Sequence, residues 1–238
     1  FLKNSLEPKH LFGAIKPHMA LLIWDVVLPI CCFNEQDHKL WMEDPEDFVR
    51  CADSMAVFTD GRSSARKAAT DFLVNAIQLR FKNVFVQFWK ELGRRMTAYN
   101  AAPPEARNYP EKDGLMVMVA ATHSILGGRY KAQLEPLLVA HVFPELKSPH
   151  PFLRARACQV FAACMESVEF TNPTSLQAAL FAVMDQMKDE HLPVKFIAAG
   201  SFRYLLANDN AAAIVRPVVG PLLDVFFTPM AEMGVDDV

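Results

Sequence analysis

The stretch Pro151–Val168 is almost continuously apolar, and Arg156, Gln159 and Glu166 fall on one narrow stripe at helical spacing. Such a pattern predicts a helix buried on most of its sides rather than a simple amphipathic one. It opens with Ser148-Pro-His-Pro151, because proline suits the first helical turn, where its missing N–H costs nothing. Asn172-Pro173 and Leu192-Pro193 repeat that start signal. On these signals the predicted helices are about 16–32, 62–81, 82–99, 111–127, 131–146, 151–168, 173–189, 192–207 and 211–229. Residues 1–15 read as a connector or the tail of a preceding helix, Gly127-Gly128 as a stop, and residues 100–110, with Pro103, Pro104 and Pro110, as a loop.

One register recurs along this pattern. Arg154 is followed by Ala157 and Phe161, and Lys195, 41 residues on, by Ala198 and Phe202. Lys112, 42 residues back, is followed by Leu115 and Val119, and Arg66, a further 46 back, by Ala69 and Leu73. A period of 41 to 46 residues is that of HEAT and armadillo helix pairs, so the expected fold is an all-α superhelix, a solenoid of four to five helix pairs. The helices carrying the register have no internal proline. Their alternates carry Pro29, Pro136, Pro144, Pro217 and Pro221, which predicts straight helices alternating with bent ones. Residues 1–238 are expected to be a single segment of one array. The chain begins mid-pattern at Phe1 and stops just after a helix, which reads as a piece of something longer.

Residues 33–60 break the rhythm. Glu35, Asp37, Glu43, Asp44, Glu46 and Asp47 stand there against only Lys39 and Arg50. Asp44-Pro45 is an N-cap and first-turn pair opening a short helix to about Val57, so the segment reads as an acidic insertion between two repeat helices. A solvated loop and a contact for a basic partner both fit it. Trp41, an aromatic inside this acidic run, is either its anchor or a partner contact. Arg66, Arg154 and Lys195 are read as structural, since a cation starting a mostly buried helix needs a carboxylate or carbonyl partner. Lys67, Asp71, Gln78, Arg156, Gln159 and Glu166 are candidate exposed positions on one ligand-facing surface, or else an ordinary solvated stripe.

Composition narrows the chemistry. A net charge of −3 gives no global argument for nucleic acid. Cys31, Cys32, Cys51, Cys158 and Cys164 form no disulfide or zinc framework and read as small hydrophobes of a reducing compartment. The seven histidines never fall at H-x-x-x-H spacing, no phosphate-binding glycine loop is present, and Asp236-Asp237 is too short for a metal motif. Neither an enzyme nor a cofactor is predicted. The apolar run Met19–Phe33, broken by Asp25 and Pro29, reads as too short to span a bilayer, so no membrane insertion is expected.

Several words of the sequence resemble one family. Leu40-Trp-Met-Glu-Asp-Pro-Glu-Asp-Phe-Val-Arg50 resembles the "LWxEDPxEYIR" segment of importin-beta-type (karyopherin) nuclear transport receptors. Arg66-Lys-Ala-Ala-Thr-Asp-Phe-Leu73 resembles the "RRRAAxDLV" helix that follows it in several of them, including the importin-alpha exporter. Lys112-Asp-Gly-Leu115, Val142-Phe-Pro-Glu-Leu146, Phe152-Leu-Arg-Ala-Arg-Ala-Cys158 and Leu192-Pro-Val-Lys195 then occur in the family's order. Phe-Leu-Arg-Ala-Arg-Ala-Cys is similar to the "YMRARACWVL" helix of the importin-seven and importin-eight branch, although Gln159-Val-Phe161 replaces its Trp-Val-Leu. The resemblance implies a central HEAT-repeat segment of a protein transport receptor shuttling between cytoplasm and nucleus through the nuclear envelope. The partners it implies are basic protein cargo, the GTPase Ran in its GTP form, whose main site in the family lies in N-terminal repeats outside this segment, and nucleoporins. It implies that the acidic insertion, through Glu35, Asp37, Trp41, Glu43, Asp44, Glu46 and Asp47, meets Ran or cargo. Two competing readings are an importin-alpha exporter and a HEAT scaffold unconnected with transport.

Overall fold

A computed structural model describes residues 6–53, 65–207, 209–218 and 220, and every regular element among them is helical. The end of the acidic insertion, Arg62 at the expected start of the next helix, and everything from Pro221 onward, including Asp236-Asp237, lie outside the described residues. In chain order the helices are α1 (Lys9–Ile15), α2 (Met19–Leu21), α3 (Leu28–Cys31), α4 (Glu35–Glu43), α5 (Pro45–Asp53), α6 (Ala65–Leu79) and α7 (Phe81–Ala101). They continue as α8 (Tyr109–Arg129), α9 (Lys131–Leu137), α10 (Pro151–Cys164), α11 (Pro173–Gln186), α12 (Leu192–Leu206) and α13 (Asp209–Val215). The fold is the all-α, HEAT-type class of packed helix pairs.

The repeated register coincides with the core. Ala69 and Leu73 on α6, Leu115 and Val119 on α8, Ala157 and Phe161 on α10, and Ala198 and Phe202 on α12 are all buried. Two of the cations that open the register, Arg66 and Arg154, are tied as a buried helix requires. Arg66 donates through Nη2 to the Cys32 carbonyl at 3.0 Å, and Arg154 through Nη1 to the Ser148 carbonyl at 2.9 Å.

Proline separates the two kinds of helix. The register helices α6, α8, α10 and α12 are regular. The segment running from α2 into α3 instead passes through a π-helical turn, Leu22–Val27, just before Pro29. The segment after α9 does the same at Leu138–Val142, before Pro144, and closes in a 3-10 turn, Phe143–Lys147. Proline clashes with the carbonyl four residues back, and that carbonyl belongs to Asp25 in one case and Ala140 in the other, each inside its π turn. Widening the helix at that point accommodates the ring without ending the helix. The helical path here starts at Lys9, within the stretch read as a connector or the tail of a preceding helix. As a result the stretch Lys9–Glu43, non-helical only at Cys32–Asn34, holds a window long and apolar enough by length and composition to cross a membrane. That corrects the expectation from Met19–Phe33 alone. Ile23, Val27, Leu28 and Cys31 on its inner side are buried, and this side packs on α6.

The helices gather into two compact units, Phe1–Asn34 with Thr59–Ile125, and Glu35–Phe58 with Leu126–Val238. In the first, Trp24 stacks on Phe88 of α7 (centroids 5.7 Å apart), and Arg80 lies over Phe12 at 4.6 Å while donating to the Leu6 carbonyl at 2.9 Å. Gly114 of α8 lies against the α3 end, where a Cβ would come within 2.8 Å of Cys32 Sγ. In the second, α10 packs on α12, and α12 also receives α5, α11 and α13. Phe161 meets Phe143 and Phe170 edge-on at 4.9 and 6.0 Å. The Glu135 carboxylate accepts from Thr171 N, Thr171 Oγ1 and Asn172 N just before α11. Burial pushes its pKa up, but the hydrogen bonds together outweigh burial and hold it below the ordinary glutamate range. Asn172 then caps α11 by accepting from Thr174 N at 3.0 Å.

Gly127 corrects a sequence expectation. The helix does not stop at Gly127-Gly128 but runs to Arg129, and Gly127 is a close-packing position: a Cβ there would sit 2.5 Å from Ser167 Cβ and 2.9 Å from its carbonyl oxygen. Gly128 faces open space. Gly127→Ala is therefore expected to destabilise the chain by about 1–3 kcal/mol, since backbone must move. Gly128→Ala should be neutral or stabilising by up to about 1 kcal/mol. Chemical denaturation of both variants checks the contrast, and equal midpoints would refute it.

Candidate partner-binding surface

Among its described residues, the acidic insertion forms two helices rather than a loop followed by one. Glu35–Glu43 already forms α4, which the sequence reading left irregular because its polar run shows no apolar periodicity. Asp44 separates the helices and caps α5, its Oδ1 accepting from Asp47 N at 2.9 Å. Two aromatic residues, one from each helix, fold this pair onto itself. Trp41, 6 % exposed, meets Phe48, 8 % exposed, edge to face at 4.9 Å. The Trp41 ring also lies 6.5 Å from that of His191, next to the start of α12, and α5 packs along α12.

His191 is itself held by a polar node. Arg154 forks onto Asp189 through Nε (2.7 Å) and Nη2 (2.9 Å). Asp189 Oδ1 accepts from His191 N at 2.9 Å and lies 3.1 Å from its Nδ1. The Arg154 and Asp189 side chains are only 14 % and 7 % exposed, so this is a buried, bidentate ion pair with its remaining valences met by backbone. The sequence reading did not find the roles of Asp189 and His191. A tryptophan set in a polar run was the available signal that something distant must cover it.

With Trp41 and Phe48 committed inward, the carboxylates divide. Glu35, Glu43, Asp44 and Glu46 are exposed, whereas Asp37 and Asp47 are half-buried. Lys39 pairs loosely with Glu43 and Arg50 with Asp47, at 3.8 and 3.6 Å, which leaves the surface net acidic. Trp41 is an internal anchor and not an exposed contact, which corrects its place among the candidate binding residues.

The stripe residues fall in different units. Lys67, exposed, pairs with half-buried Asp71 at 3.3 Å on α6, where Gln78 is exposed; all three belong to the first unit. Arg156, Gln159 and Glu166 belong to the second. Arg156 is corrected from an exposed to a buried position: it is 6 % exposed, and Nη1 donates to Gln159 Oε1 at 2.7 Å. Helix α10 is enclosed on most sides, so even its polar stripe is covered. Glu166 is exposed but lies beyond the end of α10, so it does not continue that stripe. The cysteines are all free thiols. Burial pushes Cys158 far up, Cys164 up to about 12 and Cys32 up to about 11, which keeps them protonated and poor nucleophiles.

Trp41→Ala is expected to cost about 3–5 kcal/mol, the range for emptying a buried aromatic site. It should raise amide exchange selectively in residues 35–53. Exchange mass spectrometry that finds this segment as protected as before would show that Trp41 does not hold it.

Comparison with known proteins fits this architecture. The chain is 34% identical over 230 residues to a probable importin-7 homolog of Dictyostelium discoideum, a match covering 95% of this chain and 21% of that protein. It is 33% identical over 239 residues to an importin beta-like SAD2 homolog of Arabidopsis thaliana, and 31% identical over 242 residues to human importin-8. Each of those two matches covers 100% of this chain, and they cover 23% and 22% of the relatives. The chain thus spans about a fifth of the length of the curated relatives it matches. No family model and no solved structure matches it. On these near full-chain matches to several importins, and on its HEAT-type helix pairs, the chain belongs to the importin-beta superfamily, with the importin-7 and importin-8 relatives.

Proposed function

We propose that this chain serves in nucleocytoplasmic protein transport, as a single array segment of a receptor that binds protein cargo and the GTPase Ran and shuttles between cytoplasm and nucleus. The relatives' names support the transport reading, and the packed helix pairs suit a protein that works by binding. The observation that carries the site reading is the docked acidic pair α4–α5. A solvated loop needs no buried tryptophan. Here Trp41 and Phe48 fix the backbone so that Glu35, Glu43, Asp44 and Glu46 stand outward in a defined array. A fixed acidic array complements a basic segment of cargo, or a basic face of Ran, and speeds encounter with it more than it deepens affinity.

The test titrates the chain with a linker histone and, separately, with Ran carrying a non-hydrolysable GTP analogue. The variant combines Glu43→Gln, Asp44→Asn, Glu46→Gln and Asp47→Asn, which keeps volumes and lets the new asparagine at 44 still cap α5. Affinity for one of the two partners should fall roughly tenfold at low salt, and the difference should shrink as salt rises. Binding of both that the variant leaves unchanged would reduce α4–α5 to a solvated surface. Absence of binding to either would favour a scaffold role.

A further inference from the structure

A second charged feature, of opposite sign, lies in the first unit. The C-terminal part of α7 and the start of α8 enclose an open cleft of about 250 Å³, whose charged and aromatic lining is Arg94, Arg95, Tyr99, Arg107, Glu111 and Lys112. Its centre is the Tyr99 ring, 8 % exposed. Lys112, fully buried, places Nζ 4.6 Å from the ring centroid, and the Arg107 guanidinium carbon lies 5.3 Å from it. Two cations thus share one aromatic ring, an arrangement that concentrates positive charge in a partly desolvated wall.

Arg107 is the informative residue. Its Nε donates to the Ala102 carbonyl at 3.0 Å and Nη2 to the Asn100 carbonyl at 3.4 Å, so neutral backbone holds the side chain in place. Among the described residues it has no carboxylate partner, and Nη1 is left over. Arg94 and Arg95 are partly neutralised. Arg94 forks onto Glu91 through Nε at 2.7 Å and Nη2, and Arg95 joins Glu91 to Glu111 at 2.8 and 2.7 Å. Hydrogen bonding from Arg94 and then Arg95 holds the Glu91 carboxyl down to about 2, so it stays ionised at any physiological pH. The guanidinium groups of Arg94, Arg95 and Arg107 stand against the carboxylates of Glu91 and Glu111, so Arg107 leaves the cleft with an excess of positive charge. Asn108 caps α8 by accepting from Glu111 N at 3.0 Å, so the positive end of a 21-residue helix adds to the same field.

We propose that this cleft is a binding site for a phosphorylated serine or threonine side chain carried on a partner segment. The cleft is open to solvent and has room for one phosphorylated side chain. A phosphoryl group offers about two negative charges and three acceptor oxygens, which suits the guanidinium groups that Arg94 on α7 and Arg107 bring to the cleft. A carboxylate offers half the charge and two oxygens. The site does not depend on α4–α5 contacting anything, and its charge is opposite to theirs, so either reading stands if the other fails.

The test is fluorescence anisotropy of the 238-residue chain with a short fluorescein-labelled glycine–serine peptide bearing one phosphoserine. The unphosphorylated peptide and a glutamate-substituted one are the comparison arms. The phosphopeptide should bind with saturation, orthophosphate should compete, and the unphosphorylated peptide should not bind. Arg107→Gln should weaken binding roughly tenfold, the loss of one charge-assisted contact, whereas Arg107→Lys should retain most of it. Circular dichroism melting of both variants separates a lost contact from a lost fold. If Arg107→Gln melts early, Arg94→Gln, on an exposed helix face, provides the independent variant and should also weaken binding. Equal binding of phosphorylated and unphosphorylated peptides, phosphopeptide binding unchanged by either glutamine variant, or no binding at all would overturn the proposal. Preferential binding of the glutamate peptide would overturn the phosphate assignment in favour of a carboxylate.

Discussion

The second unit depends on one buried ion pair. Arg154 and Asp189 meet in a two-pronged contact where water scarcely reaches, a geometry in which losing either partner strands a charge. Three pieces of chain converge there. Arg154 opens α10 and also holds the Ser148 carbonyl, Asp189 lies between α11 and α12, and His191 is tied to Asp189 through backbone and ring. The His191 ring then supports Trp41, and through it the acidic pair α4–α5. The position of an exposed carboxylate array is therefore set by an internal contact made by residues more than a hundred positions further along the chain.

A different constraint divides the helices into two kinds. Helices without an internal proline carry the repeated register and stay regular, while the segments bearing Pro29 and Pro144 each take one π-helical turn just before the ring. The ring's clash with a carbonyl one turn back explains why the distortion lies upstream of the proline. Close approach imposes a second local rule. Gly114 and Gly127 on α8 are small because Cys32 and the Ser167 backbone, respectively, occupy the space a side chain would need.

Much of this was legible in the sequence. The register of a cation followed at +3 and +7 by apolar residues marked core positions on four helices, and proline pairs marked the starts of α5, α10, α11 and α12 within a residue. Three features were not legible, each for a physical reason. Helix α4 is mostly polar, its exposed Met42 lies off the buried side, and it keeps a single buried anchor, so periodicity had nothing to detect. Arg156 was read as exposed from helical spacing alone, but spacing does not tell how many sides of a helix are covered. Gly127-Gly128 carried the composition of a helix stop, whereas packing against Ser167 is a tertiary fact. The cleft around Tyr99 was equally hidden, because its cations come from α7, the loop after it and α8, and only folding gathers them.

The Arg154–Asp189 pair positions the acidic helices as well as joining α10 to the start of α12. Hydrogen–deuterium exchange on Asp189→Asn, a near-isosteric change that removes the charge, tests this directly. The account predicts faster exchange at the starts of α10 and α12 and, at the same time, across residues 35–53, far away in sequence. Faster exchange at α10 and α12 with α4–α5 unchanged would contradict it and would show that the acidic helices are held by their aromatic contacts alone.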